Sequence, residues 1–175
     1  MTVPRPYALL AEITYRCPLH CPYCSNPAQA RNGNELSTDE WRRVIREAAD
    51  LGVLQIGFSG GEPLARRDLA ELIRAAREAN LYTNLITSGI GLDDDRVREL
   101  RHTGLDSVQL SFQSDNSDLA DEIAGARAHQ RKLDVAAKIR AAGIPLSVNF
   151  VIHRRNIDRL PQMIQLAETL EAERV

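Results

Sequence analysis

Two rhythms of apolar residues alternate along the chain. Short runs from Ala8 to Thr14, Val53 to Ser59, Tyr82 to Ser88, Ser107 to Gln113 and Leu146 to Ile152 have the composition of buried or half-buried strands. The stretches between them repeat their apolar positions every three to four residues. After Ser37, for example, Trp41, Val44, Ile45, Ala48 and Leu51 fall on one helical face, which places Trp41 in the core. Ser37 with Glu40 predicts a capping box at the start of this helix, and Gly52 supplies its stop.

Further helices are predicted from about Asp68 to Asn80, from about Asp93 to Thr103 with Gly104 behind it, and from about His129 to Ala142. A final helix carries Pro161, which its first turn tolerates. About five βα units in this order predict an α/β fold on a parallel sheet. In such sheets ligand-binding groups gather where strands end and loops lead into helices. That rule brings the cysteines after the first strand, Gly60, Gly61 and Glu62 after the second, Ser88 after the third and Gln113 after the fourth to one rim.

Composition narrows the class. With 175 residues, 43% of them hydrophobic and 26% charged, the chain reads as one soluble globular domain. A formal net charge of -2 offers no basic field for nucleic acid or an anionic membrane. The segment MTVPRPYALLAEITYRC lacks the zones of a secretory signal, and no apolar run approaches the roughly 20 residues that span a bilayer. All three cysteines lie between positions 17 and 24, which suits thiolates binding metal in the cytoplasm and not a disulfide framework.

Cys17, Cys21 and Cys24 put three thiolates in one loop, enough to grip a compact metal centre but one short of a closed site. Either a fourth ligand lies elsewhere or one position is open. His20 is the candidate for a Cys3His zinc module, and a cluster with an open iron is the other reading. Glycines at 60 and 61 would let backbone approach a ligand closely, and Glu62 adds an acceptor for a cationic group. Ser111 and Gln113, two apart on a strand, share a face and point either at ligand or at neighbouring loops. Asn84, Ser88 and Asn149 are further polar positions on or near strands, and Arg154 with Arg155 could meet an acidic substrate or form a wet surface. Arg66, Arg67 and Asp68, like Asp93, Asp94 and Asp95, read as helix-start or solvated charges; His102, His129 and His153 read as surface or helix-end residues.

CPLHCPYC after the first strand and SGGEPL after the second resemble the radical S-adenosylmethionine superfamily. The resemblance implies a partial (β/α)6-type barrel with a curved parallel sheet, here about five units and cut before the sixth strand. It implies a 4Fe-4S cluster on Cys17, Cys21 and Cys24, with S-adenosylmethionine chelating the fourth iron, and a 5'-deoxyadenosyl radical as product. Tyr23 would lie beside the cluster near the adenine, Glu62 at the methionine ammonium, Ser111 near the ribose or carboxylate and Arg127 near the carboxylate.

The runs LLAEITYRCPLHCPYCSNP, FSGGEPLARRDL, SVQLSFQ and NFVIHRRNIDRLPQMI are similar to the PqqA peptide cyclase family of pyrroloquinoline quinone biosynthesis. That likeness implies a carbon-carbon crosslink between glutamate and tyrosine side chains of the PqqA precursor peptide. It also implies a PqqD-type carrier protein and an external electron donor such as flavodoxin. Another radical peptide maturase is the rival within the same chemistry. The family's auxiliary clusters sit on later cysteines of a SPASM-type extension; residues 1–175 hold none, so the chain is expected to be an incomplete core whose fifth strand is an open edge.

Overall fold

In the computed structural model, which describes residues 5–26 and 34–175, alternating burial along each strand settles which side chains face the core. Pro27, the last residue of the cysteine-containing run, and residues 1–4 of the amino-terminal segment lie outside the described residues. The strands are β1 (Ala8–Thr14), β2 (Gln55–Gly60), β3 (Tyr82–Thr87), β4 (Ser107–Phe112) and β5 (Leu146–Phe150). Among the described residues they form one parallel sheet in sequence order, with Leu9 beside Ile56, Leu85 beside Val108 and Leu110 beside Val148.

Parallel neighbours need a crossover each. These are α1 (Thr38–Asp50), α2 (Leu69–Glu78), α3 (Asp94–His102), and α4 (Ser117–Ala124) followed by α5 (His129–Ala141); α6 (Leu160–Thr169) comes after β5. The capping box forms as predicted, with Glu40 N donating to Ser37 Oγ at 3.3 Å and Ser37 N to Glu40 Oε2 at 2.8 Å. Helix α4 is an addition to the sequence reading, which expected one helix between β4 and β5. Its buried residues are Ala120, Ile123 and Ala124, mostly small, so its stripe is short; its ends are nevertheless marked by Asn116, which caps Leu119 N at 3.0 Å, and by Gly125 at φ 66°.

Trp41 and Ile45 on α1, Leu72 and Ile73 on α2, Leu100 on α3 and Ile139 on α5 bury against Ile56, Phe58, Leu85, Val108 and Leu110. Each such aliphatic side chain contributes about 1.5–3 kcal/mol on burial, which locks the helical layer onto one sheet face. The other face is more polar. Leu10, Gly57, Asn84, Gln109 and Asn149 line a cavity of about 570 Å³ that touches both β1 and β5. A flat sheet would hold its two edge strands about 19 Å apart at about 4.8 Å per strand, so a cavity shared by both edges requires the sheet to curl.

The edge of β5, expected to stand open, is partly covered. Glu173 N donates to Leu146 O at 2.8 Å, Val148 N donates to Arg174 O at 2.9 Å, and Arg174 bridges Ser147 in parallel register.

Candidate functional site

The carboxyl ends of the strands are tied together by backbone before any side chain is considered. Gly61 N donates to Thr14 O and Glu62 N to Arg16 O, both at 2.7 Å, which carries the β1–β2 ladder onward into the cysteine loop. A Cβ on Gly60 would stand 2.3 Å from Thr14 O, and one on Gly61 would stand 2.4 Å from Arg16 O. Gly60 also sits at φ 122°, where L side chains are strained. The close approach that the glycine pair permits is therefore an approach to the cysteine-loop backbone.

Glu62 is buried, and both of its oxygens are engaged. It accepts from Thr87 Oγ1 at 2.6 Å, Ser88 N at 2.8 Å, Leu64 N at 3.1 Å and the Ser88 hydroxyl. Burial pushes its carboxyl up, and these donors oppose that shift by favouring the carboxylate. Ser88, a candidate from sequence, thus acts here on Glu62, whereas Asn84 accepts from Ser107 Oγ at 3.1 Å well down the sheet.

The cysteine loop rests on the turn between α4 and α5. Leu19 packs with Ala124 and Ala128, Cys17 and Cys21 pack against the same cluster, and His20 N donates to Ala124 O at 2.9 Å. Each sulfur receives one N–H donor. Leu19 N reaches Cys17 Sγ at 3.4 Å, Asn26 N reaches Cys24 Sγ at 3.4 Å, and Gln113 Nε2 reaches Cys21 Sγ at 3.9 Å. Donors of this kind stabilise thiolates and tune iron–sulfur centres. Burial pushes the Cys17 and Cys21 thiols up, so a bound cation is what would hold them ionised.

Three soft sulfurs in one loop, each with its own N–H donor, suit an iron–sulfur cluster, and the residues present fit that group. Tyr23 stands next to them. Burial pushes its phenol up to about 12, its ring lies 5.3 Å from that of His153, and Gln113 Nε2 donates to its Oη at 3.3 Å. His153, read from sequence as peripheral, is thus part of this rim.

Sequence reasoning missed Lys132. Its side chain is buried on α5, and Nζ donates to Ser111 O at 2.9 Å and to Gln113 Oε1 at 2.7 Å. Burial brings its ammonium down to about 8, against the pull of Cys21, Glu62 and Cys17. Asn156 Nδ2 donates to Gln113 O and Val151 O, both at 2.9 Å, and so joins the ends of β4 and β5. Ser111 is half-buried beside Asn149. Arg127 is exposed in the loop between α4 and α5, whereas Lys132 is a buried cation of this rim. Arg155 forms an ion pair with Glu122.

Arg66 departs from its reading as a solvated charge. It is buried, with Nη1 donating to Ile13 O at 2.8 Å and Leu36 O at 3.0 Å and the other nitrogens to Asp68 at 2.9 and 2.6 Å. Its partners are two backbone carbonyls and a carboxylate, which is why burial of the guanidinium is tolerated. The Arg66 guanidinium holds the Asp68 carboxyl down to about 2. Glu35 completes the brace, accepting from Thr14 Oγ1 at 2.6 Å and Tyr15 N at 3.0 Å where β1 passes into the cysteine loop.

Comparison with known proteins shows the family and the fold. A PqqA peptide cyclase of Bradyrhizobium diazoefficiens is 54% identical over 172 residues, which cover 97% of this chain and 45% of the relative. Another, from Ruegeria pomeroyi, is 57% identical over 177 residues, covering all of this chain and 47% of the relative. The chain thus spans about half the length of these curated relatives. The crystal structure of Streptococcus suis SuiB bound to precursor peptide SuiA shares the fold, with a TM-score of 0.85 at 24% identity over 96% of this chain and 38% of that one. The family model described as the Radical SAM superfamily matches residues 11–167, nearly the whole of the described fold, and the chain belongs to that superfamily.

Proposed function

We propose that the chain is the cluster-binding and S-adenosylmethionine-binding part of an enzyme that crosslinks a glutamate to a tyrosine within a PqqA-type precursor peptide. The superfamily uses a 4Fe-4S cluster and S-adenosylmethionine. The observation that carries the reading is the trio of sulfurs on the carboxyl rim, each receiving one N–H donor. Identity of 54–57% to PqqA peptide cyclases along this chain supports the choice of peptide chemistry.

When bound, the cluster supplies the electron that cleaves S-adenosylmethionine to methionine and a 5'-deoxyadenosyl radical. The residues of this chain hold and shield. Cys17, Cys21 and Cys24 would ligate three irons, leaving one for the amino and carboxylate groups of the cosubstrate. Glu62, fixed by Thr87 and Ser88, keeps negative charge beside the place where the methionine ammonium would sit. Tyr23, held as a neutral phenol, offers a ring face on the same rim.

The crosslink joins two carbon atoms and removes two hydrogens, so it needs an electron acceptor as well as the radical. Within this reading that acceptor is an auxiliary cluster of a SPASM-type region outside residues 1–175, a PqqD-type carrier presents the peptide, and a flavodoxin-like donor reduces the first cluster in the cytoplasm.

Anaerobic reconstitution with iron and sulfide, followed by reduction with dithionite and addition of S-adenosylmethionine and PqqA peptide, tests both halves. Residues 1–175 are expected to release 5'-deoxyadenosine without crosslinked peptide. Absence of 5'-deoxyadenosine from cluster-loaded protein would refute the reading. Crosslinking by these residues alone would refute the division of labour.

A further inference from the structure

Lys132 is a charged side chain on a mostly apolar helical face, since it shares the buried stripe of α5 with His129, Val135, Ala136 and Ile139. A lysine there costs stability unless the ammonium is fully used. Two of its donors are committed, to Ser111 O at 2.9 Å and to Gln113 Oε1 at 2.7 Å. An ammonium can donate and cannot accept. The Gln113 amide must therefore turn its oxygen toward Lys132 and its nitrogen the other way. That nitrogen is the group that reaches Cys21 Sγ at 3.9 Å and Tyr23 Oη at 3.3 Å.

We propose that Lys132 is a positioning residue for the cluster: it fixes the Gln113 amide so that an N–H faces the Cys21 sulfur, and its buried charge favours the reduced state. The inference rests on the reading of Cys17, Cys21 and Cys24 as cluster ligands. When one electron from an external donor enters, the cluster gains one unit of negative charge and no bond is made or broken. A fixed N–H and a buried cation on the same side both stabilise that added charge, and burial of Lys132 weakens its screening by solvent. Without Lys132 the amide can rotate and present its oxygen to an anionic sulfur.

The test is the midpoint potential of the reconstituted protein, followed by the paramagnetic signal of the reduced cluster, together with iron content and the melting temperature of the metal-free form. Lys132→Met is expected to make cluster reduction at least tenfold less favourable, a shift of about 59 mV to more negative potential for one electron. Lys132→Arg keeps charge and donors and is expected to recover most of that shift. Gln113→Leu removes the N–H while leaving the lysine, and shifts the potential in the same direction. Should Lys132→Met fail to hold a cluster, Gln113→Leu decides alone. Unchanged potential in Gln113→Leu, or a Lys132→Met protein that melts lower yet keeps the wild-type potential, overturns the proposal. A wild-type protein that forms no cluster overturns the underlying reading and the inference with it.

Discussion

Gly61→Ala separates steric from conformational causes at the candidate site. Gly61 is not in the left-handed region, so alanine brings no backbone strain; its Cβ would stand 2.4 Å from Arg16 O and 2.8 Å from the carbonyl carbons of Tyr15 and Arg16. Restoring a contact of about 3.4 Å means moving the two loops about 1 Å apart. The bonds from Gly61 N to Thr14 O and from Glu62 N to Arg16 O, both now 2.7 Å, would open to about 3.7 Å, beyond hydrogen-bonding range. Two backbone bonds at about 1 kcal/mol each, with an added cost for groups left unpaired, give a loss of about 2–4 kcal/mol. Gly143→Ala is the control, because Gly143 has nothing within 4 Å of its Cβ position and φ of +68°. Strain alone sets its cost, about 1–2 kcal/mol. Urea unfolding of both metal-free variants and iron content after anaerobic loading complete the test. Both proteins lose stability, and Gly61→Ala alone loses iron. A Gly61→Ala protein within about 0.5 kcal/mol of wild type that loads iron fully would refute this account of the glycine pair.

Three further outcomes follow from the same geometry. Asp68 is held at about 2 against an ordinary 3.8, so its pairing with Arg66 stabilises the fold above about pH 4 and that contribution is lost as pH falls through 2; thermal unfolding between pH 2 and 5 should show a weaker pH dependence for Asp68→Asn, and an unchanged slope would contradict it. Glu62→Gln turns an amide NH2 toward donors that now meet a carboxylate, with an expected loss of about 1–3 kcal/mol in urea unfolding together with reduced iron loading. Leu72→Ala empties a fully buried core position on α2 and is expected to lose about 2–5 kcal/mol while iron per folded molecule stays unchanged.

The order of strands and most helices was legible because each buries one periodic stripe, as Trp41, Ile45 and Ala48 show on α1. The rim was legible for the same reason, since position along a parallel strand decides which end a residue reaches. Helix α4 carried both end signals, Asn116 and Gly125, but its eight residues give too few repeats for periodicity to register. Arg66 and Lys132 were hidden by a different physics. A charged side chain is read as solvated unless its partners are known, and here the partners of Arg66 are Ile13 O and Leu36 O, 53 and 30 residues away. Lys132 left one trace, a cation on the face that also holds Val135 and Ile139. The glycine pair showed the need for close approach, while only the fold showed that the approaching group is the Thr14–Arg16 backbone.

The central claim is that Cys17, Cys21 and Cys24 hold a cluster whose remaining iron is open to S-adenosylmethionine. Low-temperature electron paramagnetic resonance of the anaerobically loaded, dithionite-reduced protein, recorded with and without S-adenosylmethionine, tests it most directly. The account predicts a reduced 4Fe-4S signal that changes shape when the cosubstrate binds and is lost when any one of the three cysteines is replaced by alanine. A colourless protein binding zinc through these thiols, or a cluster signal indifferent to S-adenosylmethionine, would contradict it.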